Sequence, residues 1–570
     1  MAVAPEGEIE YGEVFTRQWV VDTILDLVGY TADRDLSVKT LVEPSVGSGA
    51  FLGPVVDRLA ASAMSHGVPF EMLTGSIRGY DLQSVHVETS RALTVERLTA
   101  AGANEATARM LAKTWLHVGD FLLDEGDFLD LQGSTGTAVR KSSPADFVVG
   151  NPPYIRFDDL ERATVTAYRA QYPTMVGRSD IYVGFFERSL AMLKPDGMLG
   201  FICADRWMRN AYGAKLRSLI AKRYAVDTVW QMHDVDAFHT EVSAYPAITV
   251  LSNRPQGSVT VLDTTASFGE GGAKQAVAFV RSGNHEDEGA GWKGARLDSW
   301  FEGEDLWPAG GPERIRLLEH LQERFPALEQ TGGTTKISIG VATGADKAYV
   351  VLPDADVEPD RLMPLIMADD IRSGVLMRPK KVLINPWDST GALVNLADYP
   401  RMAETLASHE AVQKRFVARR NPDAWHRTID KVYPGLADRP KLLLQDMKAQ
   451  ITPVFEPGAN QVSEGVPGGY YPHHNLYYIV STGWDLEVLG GLLLSRIAEA
   501  FIEAFGVKMR GGTLRFQAQY LRKIRVPDPA TIPEDVQDRL REAFRAHDRN
   551  GATRAAEEAY GLEEGVADSV

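Results

Sequence analysis

The chain has 570 residues, 44% of them hydrophobic and 24% charged, with a formal net charge of -17 at pH 7. This gives room for two to four domains with ordinary soluble cores. The negative sum means that a nucleic acid would have to be met by local basic patches rather than by the field of the whole protein. A single cysteine, Cys203, excludes an internal disulfide and fits a reducing compartment; in the apolar run 198–204 it reads as a buried structural thiol. The first ten residues are acidic and lack the apolar segment of a signal or transit peptide, and no run of apolar residues approaches the length of a membrane span, so a cytoplasmic protein is expected.

In chain order, Thr16 reads as the N-cap of an amphipathic helix carrying Val20, Ile24, Leu27 and Val28 on one face. Residues 39–42 are a first strand, followed by Glu43-Pro44-Ser45-Val46-Gly47-Ser48-Gly49-Ala50-Phe51-Leu52 and a helix. Glycines at such a strand-to-helix turn let a ligand approach the backbone. A second strand ends in the carboxylate of Asp81, the usual position for gripping a ribose diol, and a third ends in Asp120-Phe121. A fourth strand, 146–150, stops in Asn151-Pro152-Pro153-Tyr154. After a helix over 179–193, strands at 198–204, 226–230 and 246–251 complete a set of seven. Strands alternating with helices, with ligand motifs at successive strand ends, predict an α/β fold: a doubly wound, seven-stranded, Rossmann-like domain with its site above the strand C-termini.

The stiff turn at 151–154 carries the chemistry. Two prolines fix φ and remove two backbone donors, so the Asn151 side-chain oxygen and the Pro152 carbonyl form a rigid acceptor pair beside the Tyr154 ring. Such a pair can hold a planar base by its exocyclic amine. Drawing both N–H groups toward acceptors turns the nitrogen lone pair outward for attack on an electrophilic methyl group.

In these motifs the sequence resembles the gamma class of N6-adenine DNA methyltransferases of restriction-modification systems, the Taq-type group. The resemblance is strongest over 11–255 and looser beyond. It implies S-adenosyl-L-methionine as cofactor, double-stranded DNA as partner, and methylation of an adenine flipped out of the duplex. Cofactor binding would fall to Thr16, Glu43, Pro44, Ser45, Gly47, Gly49, Asp81, Asp120, Phe121, Asn151 and Phe185. Asp120 would read the cofactor's adenine amine, with Phe121 on its face and Phe185 flanking the ring. Asn151, Pro152 and Tyr154 would be catalytic, with Phe238 packing on the flipped base opposite Tyr154. Arg17 stands where the family has Pro, and the Lys that follows the Phe in the Taq-type enzyme has no clear counterpart here.

The expected organisation is a catalytic domain over 1–255, an irregular Gly-rich connection over 256–299, an α+β target-recognition domain over 300–540 and an acidic tail over 541–570, frayed over 551–570. Residues 336–351 and 510–521 resemble segments that open and close the family's specificity domain, and one amphipathic helix is expected over 489–505. Two basic clusters, 414–441 and 508–525, are candidates for phosphate contacts. His473 and His474 invite a metal reading, but no cysteine or carboxylate lies nearby at ligand spacing, so no metal is expected. The resemblance further implies a monomer with its cognate endonuclease encoded separately. Methyltransferases of protein glutamine or ribosomal RNA share the Asn-Pro-Pro-Tyr turn but lack a downstream domain of this size. A fused nuclease is disfavoured because cofactor motifs begin at residue 12. A specificity subunit without catalysis is disfavoured by the intact Asn151, Asp81 and Asp120.

Overall fold

The computed structural model describes residues 16–123, 144–232, 235–239, 245–463, 465–506 and 513–568, and it divides into two compact units, Met1–Pro312 and Glu313–Val570. In the first unit, α1 (Gln18–Val28) buries Val20, Val21, Ile24, Leu25 and Val28 and ends at Gly29, whose φ of 77° forms a left-handed cap that a side chain would strain. Thr16 does not cap this helix, contrary to expectation. An extended bridge pairs it with Phe238, and the Arg17 N–H donates to the Ala237 carbonyl, so the cap position falls to Arg17, without a side-chain bond.

The sheet of this unit holds β1 (Leu41–Glu43), β2 (Ile77–Asp81), β3 (Leu116–Val118), β4 (Ala145–Gly150), β5 (Leu193–Ala204), β6 (Ala225–Gln231), β7 (Pro246–Ser252), β8 (Val259–Thr264), β9 (Glu286–Gly289) and β10 (Trp292–Leu297). Their order is β3-β2-β1-β4-β5-β7-β6-β8-β10-β9. Strands β3 to β5 pair in parallel, and β7 is antiparallel to both β5 and β6. Helices α2 (Leu52–Ser65), α3 (Ser84–Ala100), α4 (Glu105–Trp115), α5 (Arg162–Gln171) and α6 (Tyr182–Met192) make the crossovers between the parallel strands. Being covered on both faces, β1 and the end of β4 are continuous buried runs without polar alternation. Successive connections leave β1 and β4 in opposite directions, so their C-terminal ends flank a topological switch point.

The expected seven strands are present, and three more extend the sheet. Residues 256–299 are therefore not an irregular connection, and the first unit does not close at 255. β8 pairs in parallel with β6, and a helix over Glu270–Ser282 packs Ala273, Ala276, Val277 and Phe279 into the same core as Trp292. The glycines that suggested a loop serve close packing instead: a Cβ on Gly294 would lie 2.6 Å from the Phe279 ring.

The second unit contains two four-stranded sheets. One runs in the order Thr335–Ile339, Leu476–Ser481, Lys441–Gln445, Val454–Glu456; the other is Val350–Val351, Lys381–Ile384, Leu362–Ile366, Tyr471–Pro472. The helix expected over 489–505 is two helices, Leu486–Leu494 and Arg496–Phe505, because Ser495 adopts an extended conformation and its hydroxyl accepts from the Ala498 N–H as a new N-cap. The tail is not frayed. Glu534–Arg545 and Arg549–Tyr560 are helices that bury Leu540, Phe544, Ala552, Ala556 and Tyr560. Their approach depends on Gly490 and Gly491, where an added Cβ would lie 2.6 Å from Phe544 and 2.4 Å from the Leu540 carbonyl oxygen. Among the described residues, no helix is long and apolar enough to cross a membrane.

Candidate active site

Four strand ends build one cavity, part of it open to solvent. Its lining includes Glu43 at the end of β1 with Pro44, Ser45 and Gly47 after it, Asp81 at the end of β2, Asp120 and Phe121 after β3, and Asn151 and Pro152 after β4, with Thr16 and Phe185 closing it. Residues that are far apart in sequence therefore meet because parallel strands deliver their C-terminal turns to one edge.

The glycine loop is held by the acid of the next strand. Gly47, with φ of 50°, donates its N–H to Asp81 Oδ2 at 2.9 Å, and the other Asp81 oxygen accepts from the Gln83 N–H at 2.9 Å. A Cβ on Gly47 would meet nothing within 4 Å, whereas one on Gly49 would lie 2.7 Å from Leu93. Gly49, whose φ of 93° favours glycine, seats the loop against α3 and is not among the residues lining the cavity. Asp120 accepts from the Leu122 N–H at 2.8 Å through one oxygen and from the Tyr168 hydroxyl at 2.7 Å through the other. Phe121 and Phe185 lie with ring centroids 5.3 Å apart and planes inclined by 30°, giving one end of the cavity an aromatic wall.

Asn151 is gripped from two sides. Its side-chain Nδ2 donates to Thr16 Oγ1 at 3.2 Å, and its backbone carbonyl accepts from the Ser45 hydroxyl at 3.1 Å. In this orientation the amide nitrogen is the end turned toward Thr16. Tyr154 is not a lining residue: its hydroxyl is buried without a hydrogen-bond partner, and burial pushes its ionisation well above the ordinary range, so it stays a neutral phenol. Its ring meets Tyr182 edge-on at 6.3 Å. Phe238 is not brought to the cavity either. Paired with Thr16, it is buried in the hydrophobic core, so the structure does not present it as a second face for a base. Cys203 is buried and its thiol is pushed up by burial, as expected of a structural residue.

Charge is the most informative property of the cavity. Three carboxylates line it, and no lysine or arginine does among the described residues. Glu43 is buried, its Oε2 has no hydrogen-bond partner, and burial followed by repulsion from Asp81 raises its ionisation well above the ordinary carboxyl range. Such a site rejects phosphates and suits a cationic ligand. Tyr168, on α5, was not legible as a site residue because no motif surrounds it.

The basic clusters divide on inspection. Arg415 is buried and donates to the carbonyls of Thr343, Val412 and Trp425, while Lys441 forms a fully buried ion pair with Glu456. Arg515 and Arg522 pair with Asp446 and Glu329. These four hold the fold together, whereas Arg419 and Arg420 are exposed. Lys508 and Arg510 lie outside the described residues.

A parallel sheet finished by the reversed strand β7, with an acid-lined cavity at its switch point, defines a Rossmann-like methyltransferase. A model of the Eco57I restriction-modification methylase family matches residues 79–238. The type II methyltransferase M.XhoI of Xanthomonas vasicola is 38% identical across 98% of this chain and 99% of its own length, and M.PaeR7I of Pseudomonas aeruginosa is 41% identical across 98% and 94%. Among solved structures, the type IIL restriction-modification enzyme MmeI in complex with DNA shares the fold, with a TM-score of 0.57 at 10% identity over 96% of this chain and 74% of that one. The chain belongs to the type II DNA methyltransferases of restriction-modification systems.

Proposed function

We propose that the protein transfers the methyl group of S-adenosyl-L-methionine to N6 of an adenine extruded from double-stranded DNA. The observation that carries this reading is the cavity lined by Glu43, Asp81 and Asp120 with no basic residue among the described ones, joined to the gripped amide of Asn151. The cofactor carries a net positive charge and supplies a methyl group already activated on sulfonium. Glu43 would receive its ammonium group, the unpartnered Oε2 offering the acceptor. Asp81 would hold the ribose hydroxyls. Asp120, positioned by Tyr168, would read the adenine amine, with the contacting rings of Phe121 and Phe185 forming an apolar wall beside the base.

On the substrate side, the Asn151 Oδ1 and the Pro152 carbonyl would accept the two N–H bonds of the target amine. Thr16 and Ser45 act as positioning residues, keeping the acceptors where the reacting nitrogen needs them. Extruding a base costs a few kcal/mol. Stacking on Tyr154, at about 1 to 3 kcal/mol, offsets part of that. Phe238 takes no part in holding the base, because its ring is in the core. The protein would act as a monomer, protecting sites cut by a separately encoded nuclease, with the second unit reading base edges.

The test has two arms. Titration of the full chain with S-adenosyl-L-methionine should give micromolar or tighter binding that Asp120→Ala loses. DNA from cells expressing the protein should carry N6-methyladenine at one sequence. Cofactor binding without N6-methyladenine would overturn the adenine assignment, and absence of binding would overturn the cofactor assignment.

A further inference from the structure

Outside the catalytic cavity, the second unit gathers three side chains whose chemistry is that of metal ligands. His473 and His474 are consecutive, yet their rings lie with centroids 4.1 Å apart. Neighbours in an extended strand point to opposite faces; here the chain turns between Tyr471–Pro472 and Leu476–Ser481, so both rings fall on one side. Asp346, from a distant part of the sequence, completes the group. Ligand atoms of the three residues all lie within 4.8 Å of one another, and His473 Nε2 faces Asp346 Oδ2 at 3.2 Å.

His473 is 2% exposed; its Nε2 has the Asp346 carboxylate beside it, while Nδ1 of His473 and Nδ1 of His474 are buried without a hydrogen-bond partner. Leaving buried polar atoms unsatisfied costs about 1 to 3 kcal/mol each, so the arrangement is expensive unless something else occupies these nitrogens.

The backbone around the group is rigid. Val341 donates to the Pro472 carbonyl at 2.9 Å, His474 to the Val341 carbonyl at 3.1 Å, and Gly340 to the Leu476 carbonyl at 2.9 Å. A Cβ on Gly340 would lie 2.3 Å from both the Pro472 and His473 carbonyl oxygens, so only glycine permits this approach. The Thr343 hydroxyl donates to Asp346 Oδ1 at 2.5 Å, which orients the carboxylate and leaves Oδ2 directed at His473. Metal ligands are held in this way by an outer layer of hydrogen bonds.

We propose that Asp346, His473 and His474 bind one divalent transition-metal ion, with zinc the best fit to two imidazoles and a carboxylate and a water completing the shell. The ion would clamp the 340–346 segment to the 472–474 turn, and its role would be structural, since the group lies in a different unit from the catalytic cavity.

Untagged full-length protein, stripped with chelator and dialysed, should be titrated with Zn²⁺ against a chromogenic competitor and with Co²⁺ by visible absorption. The expected result is one ion per chain at micromolar or tighter affinity, a tetrahedral-type cobalt spectrum, and a raised thermal midpoint. His473→Ala tests the buried ligand but endangers folding. Asp346→Asn and His474→Gln, at less buried positions, should keep the circular dichroism of the stripped wild type while weakening binding by at least about tenfold. Failure of wild-type protein to bind either ion at about 100 µM, or unchanged affinity in both conservative variants, would overturn the proposal.

Discussion

In the first unit, three carboxylates converge on one cavity that no lysine or arginine among the described residues lines, whereas in the second the most deeply buried charges meet opposite charges of their own chain. Asp81 and Asp120 accept from backbone N–H groups and a hydroxyl, His86 stands 3.8 Å from Asp81, and Glu43 Oε2 has no hydrogen-bond partner. Lys441 and Glu456 are both fully buried and paired, and Glu456 also accepts from the Gly469 N–H at 2.6 Å. The difference separates charge kept for a ligand from charge consumed in folding. A buried ion neutralised within the chain has little left to offer a partner, while a cluster of like charge persists only where something outside the chain will balance it.

Breaking the paired charge should have the largest effect. Lys441→Met strands the Glu456 carboxylate and is expected to cost about 3 to 5 kcal/mol, with Lys441→Met/Glu456→Leu recovering most of it; urea denaturation of the full chain measures both. Wild-type stability in the single variant, accompanied by weaker DNA binding, would move Lys441 back among the phosphate contacts. Next in size is the acceptor of the first unit. Asn151→Ala should lower methyl-transfer kcat by at least about 10²-fold, with DNA affinity changed by no more than about tenfold, or roughly 1.4 kcal/mol. Near-normal turnover would remove this turn from the chemistry.

The same contrast explains what could be read before the fold was known. The motifs at Gly47, Asp81, Asp120 and Asn151 were legible because a doubly wound sheet obliges successive strand ends to converge, so order along the chain predicts a meeting point. Phe238 failed that logic: it lies off the strand ends, and its bridge with Thr16 turns it to the core. Strands β8 to β10 were hidden by glycines and charges, since β9 is exposed along its whole length and carries no hydrophobic pattern. The last helix, Arg549–Tyr560, was hidden in the same way, its apolar face being built largely of alanine. Charge clusters in the second unit misled because proximity in sequence says nothing about which side chains a compact α+β unit turns inward, and Arg415 and Arg419, on adjacent turns, went opposite ways. Carboxylate and imidazole partners separated in sequence, as in Asp346 and His473, are invisible to spacing rules for the converse reason.

Arg419 and Arg420 sharpen the comparison as basic residues left exposed in the second unit. If each neutralises one phosphate, replacing both with alanine should flatten the dependence of log K on log salt by about 1.8 and weaken binding at all sequences alike. An unchanged slope, measured by titrating labelled duplex at several salt concentrations, would mean that this surface does not meet DNA.

The subtlest effect is expected at Glu43, the counterpart in the first unit of the paired Glu456. Burial, reinforced by Asp81, raises its ionisation well above the ordinary value of 4.5. Between those two values the native state holds a proton that the unfolded chain has released. Stability is therefore undiminished below the unfolded value and falls as pH rises toward the folded one, by at most about 1.4 kcal/mol per pH unit for a single group. Glu43→Gln removes the ionisation, so thermal melts of the ligand-free variant should show a flatter pH profile than wild type. A cationic ligand reverses the preference, because its ammonium favours the ionised carboxylate. Wild-type affinity for S-adenosyl-L-methionine should then rise with pH across the same window, with a proton released on binding, and both features should vanish in the variant. Calorimetric titration in two buffers of different ionisation enthalpy reads the proton directly. Release of the same proton by Glu43→Gln would assign it to another group and leave the unpartnered Oε2 without its proposed ligand.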